Sequence, residues 1–279
     1  HFAIAQRLSK LRDELFHRIY DCQAEMEACK QMLQVEGDTI SILRAALREL
    51  AFEKWSTNCL WQGIGVCHFK TYPQANRFVY NKNTLSCSEW TAAVKLSVNY
   101  ANLAGVPGVV EGHDSNRHCR RCRSEIETPA HVLGSCSFGE NMRMARHNRL
   151  KNKLTAMLQA KGLQCFEEVY CTDKRGRNRF VDILAFDPGT DKAFIVDPTI
   201  RYESNGDVGL EVQKEKHERY KDCFKDLADK YPQFGCRRFE VIGLWMGARG
   251  TISRQMVDFF DRFGLNKKEL PIMAESVLA

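Results

Sequence analysis

The sequence predicts an α/β fold for its C-terminal half, and three patterns support this prediction. Runs of strand-forming residues alternate with helical stripes in the order α-β-β-β-α-β. The second and third runs are joined by DPGTDK, a turn-rich stretch that is typical of a hairpin. The apolar run FEVIGLWMG follows a helical segment and predicts a fourth strand. We therefore expect a sheet with helices packed on it.

The elements of this half are predicted to follow one another through short connections. We expect helices at 141–161 and 209–230, strands at 165–171, 180–186, 193–200 and 239–247, and a final helix that begins near Thr251. This region is expected to extend over residues 141–265. Residues 266–279 are predicted as a C-terminal tail.

The N-terminal segment predicts helices that carry no recognisable chemistry. Apolar residues recur every three or four positions across residues 4–33, which predicts a long amphipathic helix. Asp38 has the chemistry of an N-cap for a second helix that runs towards Trp55. We expect a helical hairpin over residues 1–50. A coiled-coil dimerisation element in an assembly factor is the alternative, and it is disfavoured because the e and g positions lack a clear charge code.

Residues 51–112 are predicted as a mainly helical linker region. Its pattern loosens at 60–83, where glycine, proline and several aromatic residues favour short strands or loops. A helix is expected after Ser86 or Ser88. The following stretch, residues 105–118, predicts a flexible connection by its Gly, Pro and polar content, and we expect the main boundary near it.

Composition excludes several classes of protein. No stretch of the 279 residues approaches the ~18–20 uninterrupted apolar residues that a membrane helix needs, and the N-terminus lacks the pattern of a signal peptide. We therefore expect a soluble intracellular protein with no membrane partner. The 12 cysteines are scattered, which favours reduced thiols with one metal site. Because the chain begins with His1 and not with methionine, we interpret it as part of a longer protein.

The segment CRRCRSEIETPAHVLGSC predicts a structural zinc site. It contains the spacing C-x2-C-x8-H-x4-C, and its four ligands of zinc-preferred type leave no open position. The predicted ligands are Cys119, Cys122, His131 and Cys136. His113 and His118 lie close enough to compete, and His131 is preferred because its spacing to both cysteine groups closes a small loop. We expect a zinc knuckle over residues 113–140.

Basic residues cluster beside the predicted knuckle and before the predicted hairpin. A solvated basic face and a polyanion partner are the two interpretations, and the clustering favours nucleic acid although the net charge of +6 is modest. The candidate nucleic-acid contacts are Arg120, Arg121, Arg143, Arg146, Arg175 and Arg177. Lys151 belongs to the same predicted basic helix as Arg143 and Arg146.

Asp182 and Asp197 occupy matching places on the predicted hairpin. Two carboxylates on adjacent strands form the hard oxygen site that Mg²⁺ prefers, and such an ion both activates water and stabilises developing negative charge. The alternative is that both are surface or turn residues. In either case we expect neither side chain to contribute to core packing.

The predicted element order resembles that of the restriction-endonuclease-like nucleases, the PD-(D/E)xK fold. This resemblance implies that Asp182 and Asp197 share a divalent cation on the second and third strands. The usual lysine two residues after the second acid is replaced by Thr199. In some branches of the fold the lysine moves to the following helix, where Lys214 and Lys216 are both candidates.

A more specific resemblance covers about residues 45–265. The order of the knuckle, an RHN tripeptide, the aspartate hairpin and a K-x-x-R-Y helix is similar to the C-terminal part of site-specific non-LTR retrotransposon proteins that carry a restriction-like endonuclease. The matching residues outside the knuckle are Arg146 to Asn148, Asp182, Asp197, Lys216, Arg219 and Tyr220. LSCSEWTAAVKLSVN resembles the linker of the same proteins. Val181 stands where that family has proline, which shapes the strand and performs no chemistry.

The resemblance implies a function and roles for these residues. It implies a Mg²⁺- or Mn²⁺-dependent DNA endonuclease that nicks target DNA in the nucleus to prime reverse transcription of element RNA. The reverse transcriptase domain would lie upstream in the same polypeptide. Lys216 is preferred to Lys214 as the catalytic lysine, with Lys214, Arg219 and Tyr220 as auxiliary residues. The alternative is a non-catalytic nucleic-acid-binding module from a decayed or domesticated element.

Overall fold

Four strands form one mixed sheet in the order β1-β2-β3-β4. They are β1 (Gln164–Thr172), β2 (Asn178–Phe186), β3 (Lys192–Arg201) and β4 (Arg238–Gly247). β1 and β3 both pair with β2 in antiparallel orientation, whereas β3 and β4 are parallel. The α/β class and the predicted strands are therefore confirmed, with strand ends that differ by at most two residues from the expectation.

The computed structural model describes residues 39–58, 61–81, 85–108, 117–204 and 206–278. Its α-helices are α1 (Thr39–Asn58), α2 (Cys87–Ser97), α3 (Glu140–Ala160), α4 (Val208–Tyr220), α5 (Phe224–Lys230), α6 (Arg254–Arg262) and α7 (Glu269–Leu278). The chain divides into two compact units, His1–Trp55 and Ser56–Ala279. The helix predicted at 4–33 and the cap at Asp38 lie outside the described residues. The domain boundaries expected from the sequence stay a prediction.

Three predictions of secondary structure need correction. The single helix expected at 209–230 is two helices, because the chain turns after Tyr220, where the Cys223 N–H bonds the Tyr220 carbonyl at 2.9 Å. This turn buries both side chains against the sheet. Within 61–81 the chain forms 3-10 helices at Val66–Lys70 and Pro73–Val79, and no strand. The expected tail contains α7, whose apolar stripe is buried in the core.

The linker helix begins where the sequence places it. Ser86 caps α2 with a reciprocal pair of bonds: the Glu89 N–H donates to the Ser86 hydroxyl, and the Ser86 N–H donates to the Glu89 carboxylate. The start of the predicted connection at 105–108 is described, whereas residues 109–116 are not. No helix in the described ranges is long and apolar enough to cross a membrane.

Helices cover both faces of the sheet, and each face has its own apolar core. On one face, Leu150, Leu154 and Leu158 of α3 pack with apolar residues of β2, β3, β4, α6 and α7. On the other face, Tyr220 and Leu227 pack against the alternate residues of the same strands. Because successive strand residues point to opposite faces, a sheet covered on both sides becomes apolar along its whole length. This explains runs such as VDILAF and KAFIVDP.

A buried polar network joins the predicted linker region to the end of the sheet. The guanidinium of Arg249, after β4, is fully buried and bonds the Glu203 carboxylate at 2.9 Å and the Asn99 side-chain oxygen at 2.9 Å. It also donates to the Ile64 carbonyl at 3.0 Å. The Asn99 amide in turn donates to carbonyls of residues 61–64. Residues 61–64 and Asn99 are therefore fixed to the end of the sheet by a buried ion pair that has no access to water.

Candidate active site and metal centre

Asp182 lies in β2 and Asp197 lies in β3, at the point where the two strands stop pairing. The ladder between these strands runs from Phe186↔Ala193 to Ile183↔Val196, and the next positions in that register are the two aspartates. The sheet therefore carries two carboxylates side by side at the edge of a continuous buried core, as Ile183 and Val196 are both fully buried.

Asp197 is buried, with 3% of its surface exposed, and both of its oxygens have donors. The Lys216 ammonium lies 2.9 Å from Oδ1, and the Tyr220 hydroxyl lies 2.7 Å from Oδ2. Burial, followed by the negative charge of Asp182, raises the pKa of Asp197, although Lys216 and Tyr220 oppose this effect. The expectation that neither aspartate contributes to packing is thus wrong for Asp197, because its carboxylate pairs a buried ammonium.

Asp182 is more accessible and contacts a residue to which the sequence assigned no role. His147 of α3 places Nε2 3.3 Å from Oδ2 of Asp182. The hydrogen bond to Asp182 raises the pKa of His147, although burial opposes the rise. His147 is the middle residue of the RHN tripeptide, so the signal was present in the sequence. Without the fold, nothing showed that α3 would lie beside β2.

Glu168 interrupts the regular geometry of β1 opposite Asp182. Its φ is +50°, which is unusual for a residue with a side chain, and the register pairs on either side are Glu167↔Ile183 and Val169↔Val181. The Glu168 carboxylate accepts a bond of 2.5 Å from Lys151 of α3, one turn after His147. Lys151 is buried in this pair, which differs from the exposed phosphate contact that the basic-helix pattern predicts.

The structure separates the two candidate lysines of α4. Lys216 is buried beside Asp197, whereas Lys214 is exposed. Arg219 is also exposed, with its guanidinium 5.9 Å from the centre of the Tyr220 ring. The approach of α4 depends on Gly243, which faces Asp197 across the parallel β3–β4 pair. A Cβ at Gly243 would lie 3.1 Å from the Lys216 side chain, so a larger residue would displace the lysine.

The cysteine and histidine side chains predicted as metal ligands come together. The ligand atoms of Cys119, Cys122, His131 and Cys136 all lie within 4.8 Å of one another. The thiols of Cys119 and Cys136 are 3.8 Å apart, and the Cys122 sulfur is 3.1 Å from Nε2 of His131. With Zn–S bonds of about 2.3 Å and Zn–N bonds of about 2.0 Å, such separations fit one tetrahedral ion. This group could hold a metal ion of the zinc type.

Neighbouring groups orient and activate these ligands. The Glu125 carboxylate lies 2.8 Å from Nδ1 of His131, which turns Nε2 towards the thiols. A hydrogen bond with the Ser124 side chain, helped by backbone donors, lowers the pKa of the Cys122 thiol to about 6. Among the described residues, His118 is not part of the group, and His113 lies outside them. His131 begins a short π-helical turn and Cys136 follows it, rather than both lying on an α-helix.

Most of the arginines predicted to contact nucleic acid also bind protein atoms. Arg120 pairs with Glu127 at 2.9 Å, and Arg121 lies 4.7 Å from the centre of the Phe138 ring. Arg143 donates to the Cys136 carbonyl at 2.5 Å, and Arg146 donates to the Leu133 carbonyl at 3.0 Å. Arg177 pairs with the Asp173 carboxylate at 2.7 Å. Arg175 is exposed in the loop between β1 and β2. Contact of these residues with nucleic acid stays a prediction.

Two comparisons with known proteins give no information about the family or the fold. No protein-family model matches the chain. A crystal structure described as that of a protein of unknown function, AF1548, is 13% identical, covers 42% of this chain and 54% of its own, and has a TM-score of 0.26. So low a TM-score carries no argument about fold or function.

One curated relative is similar over most of the sequence. It is the Retrovirus-related Pol polyprotein from type-1 retrotransposable element R2 of Popillia japonica, 26% identical over 235 residues. The match covers 84% of this chain and 46% of the relative, so the chain spans about half the length of the curated relative that it matches. The resemblance to non-LTR retrotransposon proteins is thereby confirmed, since this chain is similar to an R2 Pol polyprotein along most of its length.

Proposed function

We propose that this chain is the DNA-cleaving region of a non-LTR retrotransposon polyprotein, with a restriction-like core of the PD-(D/E)xK type. The proposal depends on one observation. Asp182 and Asp197 lie next to each other at the same end of the β2–β3 ladder, and the buried Lys216 ammonium contacts Asp197. The reaction would be the hydrolysis of one phosphodiester bond of target DNA. The resulting 3′ hydroxyl would prime reverse transcription of element RNA by a polymerase domain elsewhere in the polyprotein. Both reactions would take place in the nucleus.

The chemistry of the two carboxylates suits a divalent cation, which would share the Asp197 oxygens with Lys216 and Tyr220. Carboxylate oxygens are the ligands that Mg²⁺ and Mn²⁺ prefer. Burial and the charge of Asp182 raise the pKa of Asp197, so a negative charge on this carboxylate is less favourable than in water. A bound ion would neutralise that charge, activate the attacking water and stabilise the charge that develops on the phosphate. Asp182 and Asp197 would hold it.

The surrounding side chains have separate roles in this proposal. Lys216 supplies a fixed positive charge beside the phosphate, at a site from which water is largely excluded. Tyr220 fixes the rotation of the Asp197 carboxylate, since its hydroxyl lies 2.7 Å from Oδ2 and 2.7 Å from the Phe180 carbonyl. His147 holds the carboxylate of Asp182 from the α3 side. Lys214 and Arg219 lie at the surface, where contact with the DNA backbone is the role that remains.

The cysteine and histidine group would bind one structural Zn²⁺ and act as a nucleic-acid-binding knuckle. Its three thiols and one imidazole leave no open position, so it would take no part in cleavage. Arg121 and Arg123 are exposed beside it, which suits contact with phosphates of target DNA or element RNA.

A plasmid nicking assay tests the proposal. We expect the purified 279-residue chain to convert supercoiled plasmid to open circles with Mg²⁺ or Mn²⁺ and not without added divalent ion. A chelator is avoided because it would also remove zinc. Asp182→Asn should abolish nicking, whereas Asp229→Asn, an exposed aspartate of α5, should not. A chain that retards DNA on a gel but nicks it with neither ion would instead be a binding module.

A further inference from the structure

Two aromatic side chains are exposed on the β1–β2 hairpin. Tyr170 is 44% exposed and Phe180 is 55% exposed, although both lie within strands. They are direct partners in the antiparallel register, and their ring centres are 5.6 Å apart at an angle of 60°. A cross-strand pair of this kind stabilises a hairpin, but burial would serve that purpose better than exposure. The exposed part of each ring is therefore available to a partner from outside the chain.

The aromatic pair lies beside the candidate active site. Phe180 precedes Asp182 by two residues on β2, which corresponds to about 7 Å along a strand. The Phe180 carbonyl also lies 2.7 Å from the Tyr220 hydroxyl, which contacts Asp197. Successive nucleotides of a DNA strand are about 3.4 Å apart along the helix axis. A DNA strand that runs along β2 with its cleaved phosphate near Asp182 would thus bring a base one or two nucleotides away to the level of these rings.

Positive charges surround the pair and indicate the chemistry of its partner. The Lys230 ammonium lies 4.5 Å from the centre of the Tyr170 ring. The segment from Thr172 to Phe180 adds four basic side chains. Lys174 is paired with Asp222, and Arg177 and Arg179 share Asp173, so with Lys230 on Asp226 there are five basic and three acidic groups near the pair and a net positive charge remains. These basic side chains would add little to the binding of an apolar protein surface. Aromatic rings bordered by positive charge are instead the combination that binds single-stranded nucleic acid.

We propose that Tyr170 and Phe180 stack against an unpaired base of the strand that is cut, one or two nucleotides from the cleaved phosphate. This inference rests on the proposed endonuclease function for the position of the base. In an intact duplex both faces of each base are covered by its neighbours, so the rings can stack only where a base has left the duplex. The site consequently prefers DNA with a mismatched or unpaired base beside the nick.

Binding is tested separately from cleavage. The probe is a 20-nucleotide single strand that contains 2-aminopurine, whose fluorescence falls on stacking, with no divalent ion added. Relative to the wild-type chain, Phe180→Leu and Tyr170→Leu should weaken binding by roughly 5- to 150-fold, the range for loss of one base–aromatic contact. Tyr80→Leu is the matched control, since Tyr80 is 91% exposed elsewhere in the chain. Phe180→Trp should retain the affinity and the quenching.

The outcomes separate this inference from the proposed function. Equal affinity and quenching in Phe180→Leu, Tyr170→Leu and the wild-type chain would overturn it and leave an ordinary cross-strand pair. With Mg²⁺, duplexes with one mismatch should be nicked faster than matched duplexes, and Phe180→Leu should remove this difference. Equal nicking of both duplexes by the wild-type chain would also overturn it. Quenching without any nicking would support base stacking while rejecting the endonuclease.

Discussion

The aspartate pair of the sheet and the cysteine–histidine group are held in place by different forces. The residues next to Asp182 and Asp197 belong to a core that is buried on both faces of the sheet. Around the cysteine–histidine group the chain forms short turns, and Ile126 and Phe138 remain exposed. Apolar burial therefore positions the carboxylates without any ion, whereas the turns of the second group lack a comparable core, so a metal bound there would supply much of their stability.

Removal of zinc should give the largest difference between the two regions. Structural zinc contributes about 10–16 kcal/mol to the folding of small zinc-binding peptides. A zinc-selective chelator, or Cys122→Ser with Cys136→Ser, should therefore unfold residues 117–139 and leave the sheet folded. Hydrogen exchange should show loss of protection in this segment alone, and metal analysis should show about one zinc per chain before treatment.

Two results would contradict this prediction. Full zinc retention in the double serine variant would exclude the assigned ligands. Loss of protection in β2 and β3 after chelation would show that the sheet also depends on the metal.

The two aspartates should differ in their effect on stability. Asp197→Ala leaves the buried Lys216 ammonium with only the Glu215 carboxylate, 3.8 Å away, which should cost about 3–5 kcal/mol. Asp182→Ala removes a partly exposed contact with His147 and should cost about 1 kcal/mol or less. Urea denaturation of both variants measures the difference. Adding Lys216→Met to Asp197→Ala should recover part of the loss, and a further loss instead would refute the proposed cause.

The lysines of α4 should differ in their effect on cleavage. Lys216→Ala should slow nicking by roughly 10²–10³-fold, as removal of other single electrostatic groups does. Lys214→Ala should have little effect, because its side chain is exposed. Initial rates of plasmid nicking under saturating Mg²⁺ measure both. An equal loss of nicking rate in the two variants would show that Lys216 is not part of the active site.

The smallest expected effect concerns the loop between β1 and β2. If Arg175 and Arg177 contact phosphates, Arg175→Gln with Arg177→Gln should reduce the slope of log affinity against log salt by about 0.9 per lost contact. Arg254→Gln is the control, as Arg254 is exposed on α6. Binding of a labelled duplex across a salt series measures the slope. An unchanged slope would leave Arg175 and Arg177 as ordinary solvated charges.

The sequence was most informative where a local pattern determines the structure. Strand periodicity located β1 to β4, and spacing alone located the four cysteine and histidine ligands, because both depend on neighbouring residues. The partnerships of His147 with Asp182 and of Lys151 with Glu168 depend on how α3 crosses the sheet, which no local pattern records. The apolar residues Leu270, Met273, Ala274 and Val277 of α7 recur with a helical period, although residues 266–279 were predicted as a tail.

The burial of Arg249 limits how this region can be exchanged during evolution. Its guanidinium bonds Asn99 and Ile64, which lie 150 and 185 positions earlier in the chain. A sheet transferred to another protein without residues 61–99 would keep the Arg249–Glu203 ion pair but lose the Asn99 and Ile64 acceptors that satisfy the rest of the guanidinium. The segment before the cysteine–histidine group and the sheet after it should therefore be inherited together, and a hybrid protein should tolerate a junction outside them better than one between them.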